Sequence, residues 1–377
     1  MLHESATRMA QPFTARASLY GCPRQHADYP GAGEGIAGGH HFTFRFLLAL
    51  VAMLALPSAV RPQESLPSHR QKSDAYTIRV NVGEVVLHAT AHDHKGVLVS
   101  GLNKEQFQIY EDGVLQAIKY FSHQDVPVTV GLVIDNSGSM GKKRAEVIAA
   151  SLAFARSSNP HDQIFVVNFN EHVRFALPGA APFTDQAPQL EIALSTIITS
   201  GQTALYDAVA AALEQLKKGD RDKKVLIVIS DGGDNASRHT LVQIMALARY
   251  SDAIIYTIGL FDDEDDDRNP HVLRQLAADT GGDVFLPRSL KEAIPICERI
   301  ARDIRNQYTI AYVPANRLRD GSYRNIQVKA SAPGHGHLLV RTRAGYYAAL
   351  PTQPLPTQPS PTQPSPAAKV PDHDTYD

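Results

Sequence analysis

Hydrophobic and polar residues alternate along the first patterned part of the chain. Residues 75–92 alternate and are rich in β-branched side chains, and residues 107–110 and 116–121 flank a Glu-Asp-Gly turn at 111–113. Alternation with a period of two predicts β-strands, and a turn of this composition predicts that the later pair forms a hairpin. This opening region is therefore predicted to be all β.

The pattern changes at Val128, where the sequence VTVGLVID is a nearly continuous hydrophobic run. Such runs are typical of parallel strands that are covered on both faces. Further runs of this kind occur at 164–169, 225–230 and 254–260, and helices are predicted at 205–217, 241–250, 272–278 and 290–305. Because strands and helices alternate, the sequence predicts a doubly wound α/β domain with a mostly parallel sheet over residues 126–306.

Strand-like patterns return after this domain, at 308–313, 323–330 and 337–344. A hairpin or two is marginally stable in water, so neither flank of the α/β domain can bury a good core alone. We therefore predict one small, discontinuous all-β sandwich made from residues 72–125 plus 307–349, with the α/β domain inserted between its halves.

The two ends of the chain lack the pattern of a folded domain. Residues 1–45 are expected to be unstructured or to precede the true start, and residues 46–60 suit a signal-peptide h-region and cleavage region. The apolar stretch is too short to span a membrane, which takes about 20 residues. Two alternatives remain for this apolar stretch: a short buried helix, or an uncleaved N-terminal anchor. Such an anchor is the one membrane contact that we consider. We expect an extracytoplasmic protein, whether periplasmic, on the cell surface or secreted.

The C-terminal tail, residues 350–377, contains three units of the type PTQP followed by Leu or Ser. This composition predicts an extended polyproline-type segment that cannot pack a core. It would serve as a semi-rigid spacer or docking strip, or would simply be solvated.

Composition and charge exclude several classes of protein. The chain has 377 residues, of which 43% are hydrophobic and 20% charged, so it is neither disordered throughout nor a coiled-coil rod. Lys and Arg total 37 against 39 Asp and Glu, a net charge of -2, which disfavours a nucleic-acid partner. Two distant cysteines, Cys22 and Cys297, cannot form a disulfide framework.

Side chains with oxygen atoms occur where the predicted strands end. Asp135, Ser137 and Ser139 follow the first buried strand, Thr203 precedes a helix, and Asp231 ends the third strand. In an open α/β sheet, ligands bind outside the carboxyl ends of the strands, so these residues are expected to lie together. Oxygen ligands alone favour a hard cation, Mg²⁺ or Mn²⁺, with Ca²⁺ possible.

The order and context of these five residues resemble the von Willebrand factor type A (VWA) domain, whose metal-ion-dependent adhesion site (MIDAS) they match. The resemblance implies that Ser137, Ser139 and Thr203 bind the ion directly, while Asp135 and Asp231 bind it directly or hold waters that do. It also implies an open coordination position, which a Glu or Asp from a partner protein fills.

The segments that flank the predicted domain extend this resemblance. The sequences GLNKEQFQIYEDG before it and VRTRAGYY after it look like the secreted bacterial subgroup of VWA proteins, in particular the acidobacterial one. This narrower resemblance implies export from a bacterium.

Other polar residues allow simpler interpretations. Asp207 and Asp234 are secondary candidates for the metal site, although Asp is also common at helix starts and in turns. Helix capping by Asp135 would not account for the two later loops. His88, His92 and His94 share one strand face, but their spacing matches no standard zinc site. The acidic run 262–267 lacks the glycine placement of an EF-hand loop.

Sequence signatures of catalysis are missing from the chain. It has no Gly-x-Ser-x-Gly elbow, Walker-type phosphate loop, His-Glu-x-x-His motif or dinucleotide fingerprint. We therefore expect a non-enzymatic, adhesion-type module in which a MIDAS-bound cation captures a partner carboxylate. A structural or assembly scaffold in the cell envelope, with incidental metal binding, is the alternative, and metal-assisted hydrolysis is a third.

Overall fold

The described part of the chain contains an all-β sheet and a second sheet covered by helices. The computed structural model describes residues 83–195, 199–262 and 268–350, all within the unit 70–377. The predicted N-terminal segments 1–45 and 46–60, nearly all of the Pro-rich tail and most of the acidic run lie outside the described residues.

The strands and helices have the following bounds. The strands are β1 Val85–His92, β2 Phe107–Glu111, β3 Val114–Gln116, β4 Ile118–Ser122, β5 Val128–Asp135, β6 Gln163–Phe169, β7 Val173–Phe175, β8 Lys223–Ser230, β9 Ile254–Gly259, β10 Val284–Phe285, β11 Tyr308–Tyr312, β12 Tyr323–Ala332, β13 Gly336–Arg341 and β14 Gly345–Tyr347. The α-helices are α1 Arg144–Ser157, α2 Ala187–Ser195, α3 Leu205–Leu216, α4 Leu241–Tyr250, α5 Pro270–Thr280 and α6 Ala293–Arg305. Within the described ranges, no helix is both long and apolar enough to cross a membrane.

The helix-covered sheet has the strand order β10-β9-β8-β5-β6-β7. Every pair is parallel except β6 with β7. Every residue of β5 is buried, which explains why its sequence is a continuous hydrophobic run. Helix α1 packs with α2 and α6, whereas α4 packs with α3 and α5. The predicted doubly wound α/β architecture is confirmed; the antiparallel edge strand β7, helix α2 and the two-residue strand β10 were not predicted.

The all-β sheet has the strand order β3-β2-β12-β13-β1-β11-β4, with β14 also paired to β12. Strand β1 changes partner along its length, because Val85–Ala89 pairs with β11 and Thr90–His92 pairs with β13. One core joins side chains from both flanks, including Leu87, Phe107 and Tyr308. The predicted sandwich thus takes the form of one eight-stranded sheet around a shared core.

The predicted hairpin is shorter than its pattern indicated. Strand β3 ends at Gln116, and β4 leaves the hairpin to pair with β11 instead. Phe121 of β4 packs against the rings of Phe107 and Tyr308, with centroid distances of 5.4 and 5.7 Å. Tertiary packing across the two flanks therefore overrides the local hairpin pattern.

Candidate metal centre

The first loop of the candidate site begins where β5 ends at Asp135. One carboxylate oxygen of Asp135, Oδ1, accepts the backbone N–H of Ser137 at 2.9 Å. The other, Oδ2, accepts the hydroxyl of Ser230 from the neighbouring strand β8 at 2.6 Å. The short hydrogen-bonded turn fixes the loop, and the bond to Ser230 fixes the carboxylate against the sheet.

Two serines of this loop point towards the loop after β8. The hydroxyl of Ser139 donates to Oδ2 of Asp231 at 2.5 Å, and the hydroxyl oxygens of Ser137 and Ser139 are 3.2 Å apart. Oδ1 of Asp231 accepts the backbone N–H of Gly233 at 3.0 Å. Three of the five predicted residues therefore form one chain of oxygen contacts between two loops.

The loop that carries Thr203 is tied to both of the others through its backbone. The backbone N–H of Thr203 donates to Oδ1 of Asn235 at 2.8 Å, and its carbonyl accepts the backbone N–H of Asn235 at 2.9 Å. The N–H of Gly138 donates to the carbonyl of Gly201 at 3.1 Å. All five predicted residues thus lie on three hydrogen-bonded loops at the carboxyl edge of the sheet.

Two features favour glycine at position 201. Its φ is +84°, and a Cβ there would lie 1.8 Å from Oε2 of Glu171. The same oxygen of Glu171, which follows β6, accepts the backbone N–H of Gln202 at 3.1 Å. The missing side chain at Gly201 lets this carboxylate brace the loop that ends at Thr203.

Burial and charge act together on Asp135, which is 2% exposed. Burial, and next the nearby carboxylate of Asp231, raise the pKa of Asp135 to about 6, although hydrogen bonds from Ser137 and Ser230 lower it. Two buried carboxylates beside the hydroxyls of Ser137 and Ser139 form a site of negative potential that favours a cation.

The donor set fits a hard divalent ion. Adjacent ligands of an octahedral ion with bonds of about 2.0–2.1 Å lie about 2.9 Å apart, close to the 3.2 Å between Ser137 and Ser139. Throughout the described residues there is no group of three or more His, Cys, Asp or Glu side chains that could hold a metal. A site at this edge would therefore depend on its hydroxyl oxygens as well as its two carboxylates.

The secondary candidates bond to neighbouring loops. Asp207 accepts the backbone N–H groups of Arg238 and His239 and contacts Nδ1 of His239 at 2.6 Å. Asp234 accepts the backbone N–H of Tyr206 at 3.1 Å, at the start of α3, and the hydroxyl of Ser237 at 2.6 Å. These bonds assign both carboxylates structural roles in loops next to the site.

Two other features noted in the sequence also have local partners. His88 contacts the hydroxyl of Thr309 at 3.2 Å, whereas Nε2 of His92 lies 3.8 Å from Asp303. At the start of the acidic run, Asp262 pairs with buried Lys143 at 3.2 Å. These residues support the fold around the two sheets.

Sequence reasoning missed three residues that position the site: Ser230, Asn235 and Glu171. Ser230 could have been found as the polar residue that ends the apolar run of β8 immediately before Asp231. Asn235 lies in a Gly-Gly-Asp-Asn turn, which is common composition for a loop. No sequence pattern pointed to Glu171, because the residue that it contacts, Gln202, is 31 positions away.

Several solved structures are similar to this chain. A solved structure described as von Willebrand factor type A from Catenulispora acidiphila is 13% identical, with 73% of this chain and 76% of that one covered and a TM-score of 0.44. Conserved hypothetical protein BatB from Bacteroides thetaiotaomicron is 16% identical, with coverage of 47% and 98% and a TM-score of 0.36. Proximal thread matrix protein 1 from the mussel byssus, with a zinc-occupied MIDAS motif, is 16% identical, with coverage of 51% and 50% and a TM-score of 0.41.

The family assignment comes from the sequence. No curated protein matches the chain. Residues 130–233, however, match the family model described as von Willebrand factor type A domain. The matched segment runs from β5 to the loop after β8, and so includes all five residues of the candidate site. Over residues 130–233 the chain therefore matches the von Willebrand factor type A domain, the family that the five residues resemble.

Proposed function

We propose that this domain is a metal-dependent protein-binding module of the adhesion type. The ion, Mg²⁺ or Mn²⁺ with Ca²⁺ also compatible, would be held by the five oxygen side chains of the three loops: Asp135, Ser137, Ser139, Thr203 and Asp231. The contact that carries the proposal is the 2.5 Å hydrogen bond from Ser139 to Asp231, with Ser137 3.2 Å from Ser139. It brings oxygens from separate strands into one cluster.

The chemistry of these ligands favours a carboxylate as the group captured. Ser137, Ser139 and Thr203 offer neutral hydroxyl oxygens, so an ion at this site would keep part of its positive charge. Asp135 is already bonded to Ser137 and Ser230, which limits how far it can move towards an ion. An Asp or Glu from a partner protein would supply the missing charge at an open coordination position. We infer binding without turnover, and no role in binding nucleic acid.

The proposed setting is outside the cytoplasm, on the cell surface, in the periplasm or secreted. The support for this is the apolar stretch at 46–56 with its small residues beyond, which suits a signal peptide. Whether that segment is removed or kept as an anchor decides between release and tethering.

The experiment is calorimetric titration of the full chain with Mg²⁺ and Mn²⁺. Wild type is compared with the double variant Ser137→Ala, Ser139→Ala, and with Ser331→Ala as a matched control, because Ser331 is exposed on β12 of the other sheet. We expect the double variant to bind at least tenfold more weakly and the control to bind as wild type does.

A short acidic peptide then tests the captured group, with a Gln and Asn peptide of the same length as the comparison. We expect the acidic peptide to bind only when metal is present and to tighten metal binding in return, since the two are coupled. Equal metal binding by wild type and the double variant would contradict the site. Metal binding without any effect of the peptide would favour the scaffold role instead.

A further inference from the structure

A large cleft opens at the end of the molecule away from the candidate metal site. Its volume is about 990 Å³. Asp222 and Ile254, which line it, lie at the amino ends of β8 and β9. The metal loops follow the carboxyl ends of the parallel strands, so the two features are at opposite edges of the sheet. The cleft therefore shares no residue with the proposed metal site.

Exposed aromatic and apolar side chains line this cleft. The rings of Tyr250 and Tyr347 stack with centroids 4.3 Å apart and planes 13° apart, and Tyr323 supports Tyr347 edge-on at 5.0 Å. Tyr250, Leu318 and Leu350 are 67%, 66% and 68% exposed. Large apolar groups that share one concave surface commonly mark a binding site.

The charged groups of the cleft mostly neutralise each other, which disfavours a highly charged ligand. Asp252 pairs with Arg343 at 2.6 Å, and Asp279 pairs with Arg249 at 2.8 Å. The cleft favours an uncharged ligand with an apolar surface.

Hydrogen-bond donors are nevertheless available along the same surface. Arg317 and Arg319 line the cleft and are exposed. Guanidinium groups only donate hydrogen bonds, so the ligand should carry acceptors such as carbonyl oxygens.

The chain itself supplies a segment with these properties. Leu350 lines the cleft, and the next residue is Pro351. Residues 351–366 include seven prolines and no charged side chain, in three Pro-Thr-Gln-Pro units. In a polyproline II helix, with three residues per turn, both prolines of each unit lie on one edge while the backbone carbonyls stay free.

We propose that the Tyr250–Tyr347 cleft binds the chain's own proline-rich segment, residues 351–366, as a polyproline II helix. Aromatic-lined grooves bind proline-rich peptides against the exposed surfaces of their rings, and donors beside the rings hold the peptide carbonyls. Attachment at Leu350 gives the segment an effective concentration in the millimolar range, so even weak contacts fill the cleft within one molecule.

A labelled peptide of residues 351–366 tests this by fluorescence anisotropy. It is titrated with the full chain and with a chain that ends at Leu350, which removes no described residue. We expect saturable binding to the shortened chain and at least tenfold weaker binding to the full chain, because its own segment competes. A peptide of the same length with every Pro replaced by Ala should bind neither chain.

Variants of the chain that ends at Leu350 test whether the peptide binds in the cleft. Tyr250→Ala should weaken binding at least tenfold, whereas Val242→Ala, 79% exposed on the same helix but outside the cleft, should not change it. Both side chains are mostly exposed, so both variants should keep the parent's fold, although Tyr250→Ala also removes the stacking on Tyr347. The proposal is overturned if the peptide does not bind saturably, if Tyr250→Ala leaves its affinity unchanged, or if the full chain binds it as tightly as the shortened one. Dimers that form only when the tail is present would assign the cleft to the tail of a second copy and overturn binding within one molecule.

Discussion

Asp135 occupies a position where burial and hydrogen bonding act on its carboxylate in opposite directions. Burial and the charge of Asp231 raise its pKa, whereas the hydrogen bonds from Ser137 and Ser230 lower it, and the pKa settles at about 6. At neutral pH the carboxylate is therefore mostly charged, although burial and Asp231 make its charged form less stable. A bound cation would stabilise the charged form, so metal binding should depend on the protonation of this one group.

Metal affinity should therefore fall as the pH is lowered through 6. Below its pKa of about 6, Asp135 carries a proton that a metal must displace, so the affinity decreases by up to tenfold for each further pH unit. Above about pH 7 this group is already ionised and contributes no further change. Calorimetric titration with Mn²⁺ from pH 5 to 8 measures this, with far-UV circular dichroism to show that the fold persists. A constant affinity over that range would contradict the assigned role of Asp135.

The candidate metal ligands could be predicted from the sequence, whereas the residues that position them could not. Asp135 and Asp231 directly end or follow apolar runs, so the rule that parallel strands share a carboxyl edge was enough to bring them together. Ser230 and Glu171 act through contacts with residues 95 and 31 positions away, respectively. Such contacts leave no local pattern, because they depend on which strands become neighbours.

Two loops of the site turn at glycines with positive φ, and they should respond differently to the same substitution. A Cβ at Gly232, with φ +80°, would lie 2.4 Å from the backbone carbonyl oxygen of Asn269. The Cβ at Gly201 would meet only the end of the Glu171 side chain, which can move. Strain at positive φ costs about 1–3 kcal/mol in either case, and Gly232→Ala adds a clash that only backbone movement relieves. We expect Gly232→Ala to lower the free energy of unfolding more than Gly201→Ala, as measured by urea denaturation.

The double variant Gly201→Ala, Glu171→Ala is the control for the steric part of this effect. Shortening Glu171 removes the clash but not the strain, and it also removes the hydrogen bond to Gln202, so the double variant should recover at most part of the stability lost by Gly201→Ala alone. Equal destabilisation by Gly201→Ala and Gly232→Ala would show that backbone conformation, and not contact, dominates at both turns.

Within the all-β sheet, an ion pair is enclosed between β2 and β12. Arg324 and Glu111 are 1% and 3% exposed and approach to 3.2 Å. The hydroxyls of Tyr312 and Tyr346 donate to the other oxygen of Glu111 at 2.7 and 3.0 Å. Arg324 also donates to the carbonyls of the 316–318 turn. The pair thus ties a connecting loop to the sheet.

Removing one member of this pair should be far more harmful than removing both charges. Arg324→Met leaves the Glu111 carboxylate buried without its cation, which costs about 3–5 kcal/mol. Adding Glu111→Gln should recover part of that loss. The exposed pair of Lys217 and Glu214 is the matched control, and Lys217→Met should change stability by at most about 1 kcal/mol. Thermal unfolding of wild type and these three variants measures the difference, and similar losses for the buried and exposed pairs would contradict it.

Periodicity predicted most of the long elements but missed helix α2 and the short strands β7 and β10. A fully buried strand such as β5 is readily predicted, because its residues before Asp135 are apolar or small. Strands β7 and β10 have three and two residues, too few for a period to show. The end of the hairpin at Gln116 was also hidden, since it depends on Phe121 meeting the ring of Tyr308 from the other flank.

At the scale of the whole molecule, the α/β region leaves and re-enters the all-β sheet at almost the same point. Nε2 of His123 contacts the carbonyl of Asn306 at 3.2 Å, and Asp125 pairs with Arg305 at 2.7 Å. Strands β1 and β11 pair in register although Val85 and Tyr312 are far apart in sequence. An inserted domain with adjacent ends disturbs its host sheet little, because a short loop could replace it.

The last prediction follows from this arrangement. Residues 126–306 expressed alone should fold and unfold cooperatively, since that segment holds its own large core. Its melting temperature should lie below that of the full chain, because it loses ion pairs such as Arg343 with Asp252 and Arg341 with Asp283.

Residues 72–125 alone and 307–349 alone should stay unfolded, because the core of the sheet takes Leu87 from one flank and Tyr308 from the other. The two flanks joined by a linker of about four residues should regain strand structure. Circular dichroism and thermal melts of the four chains decide the matter: a flank that folds by itself would show that the all-β region is two domains and not one interrupted sheet.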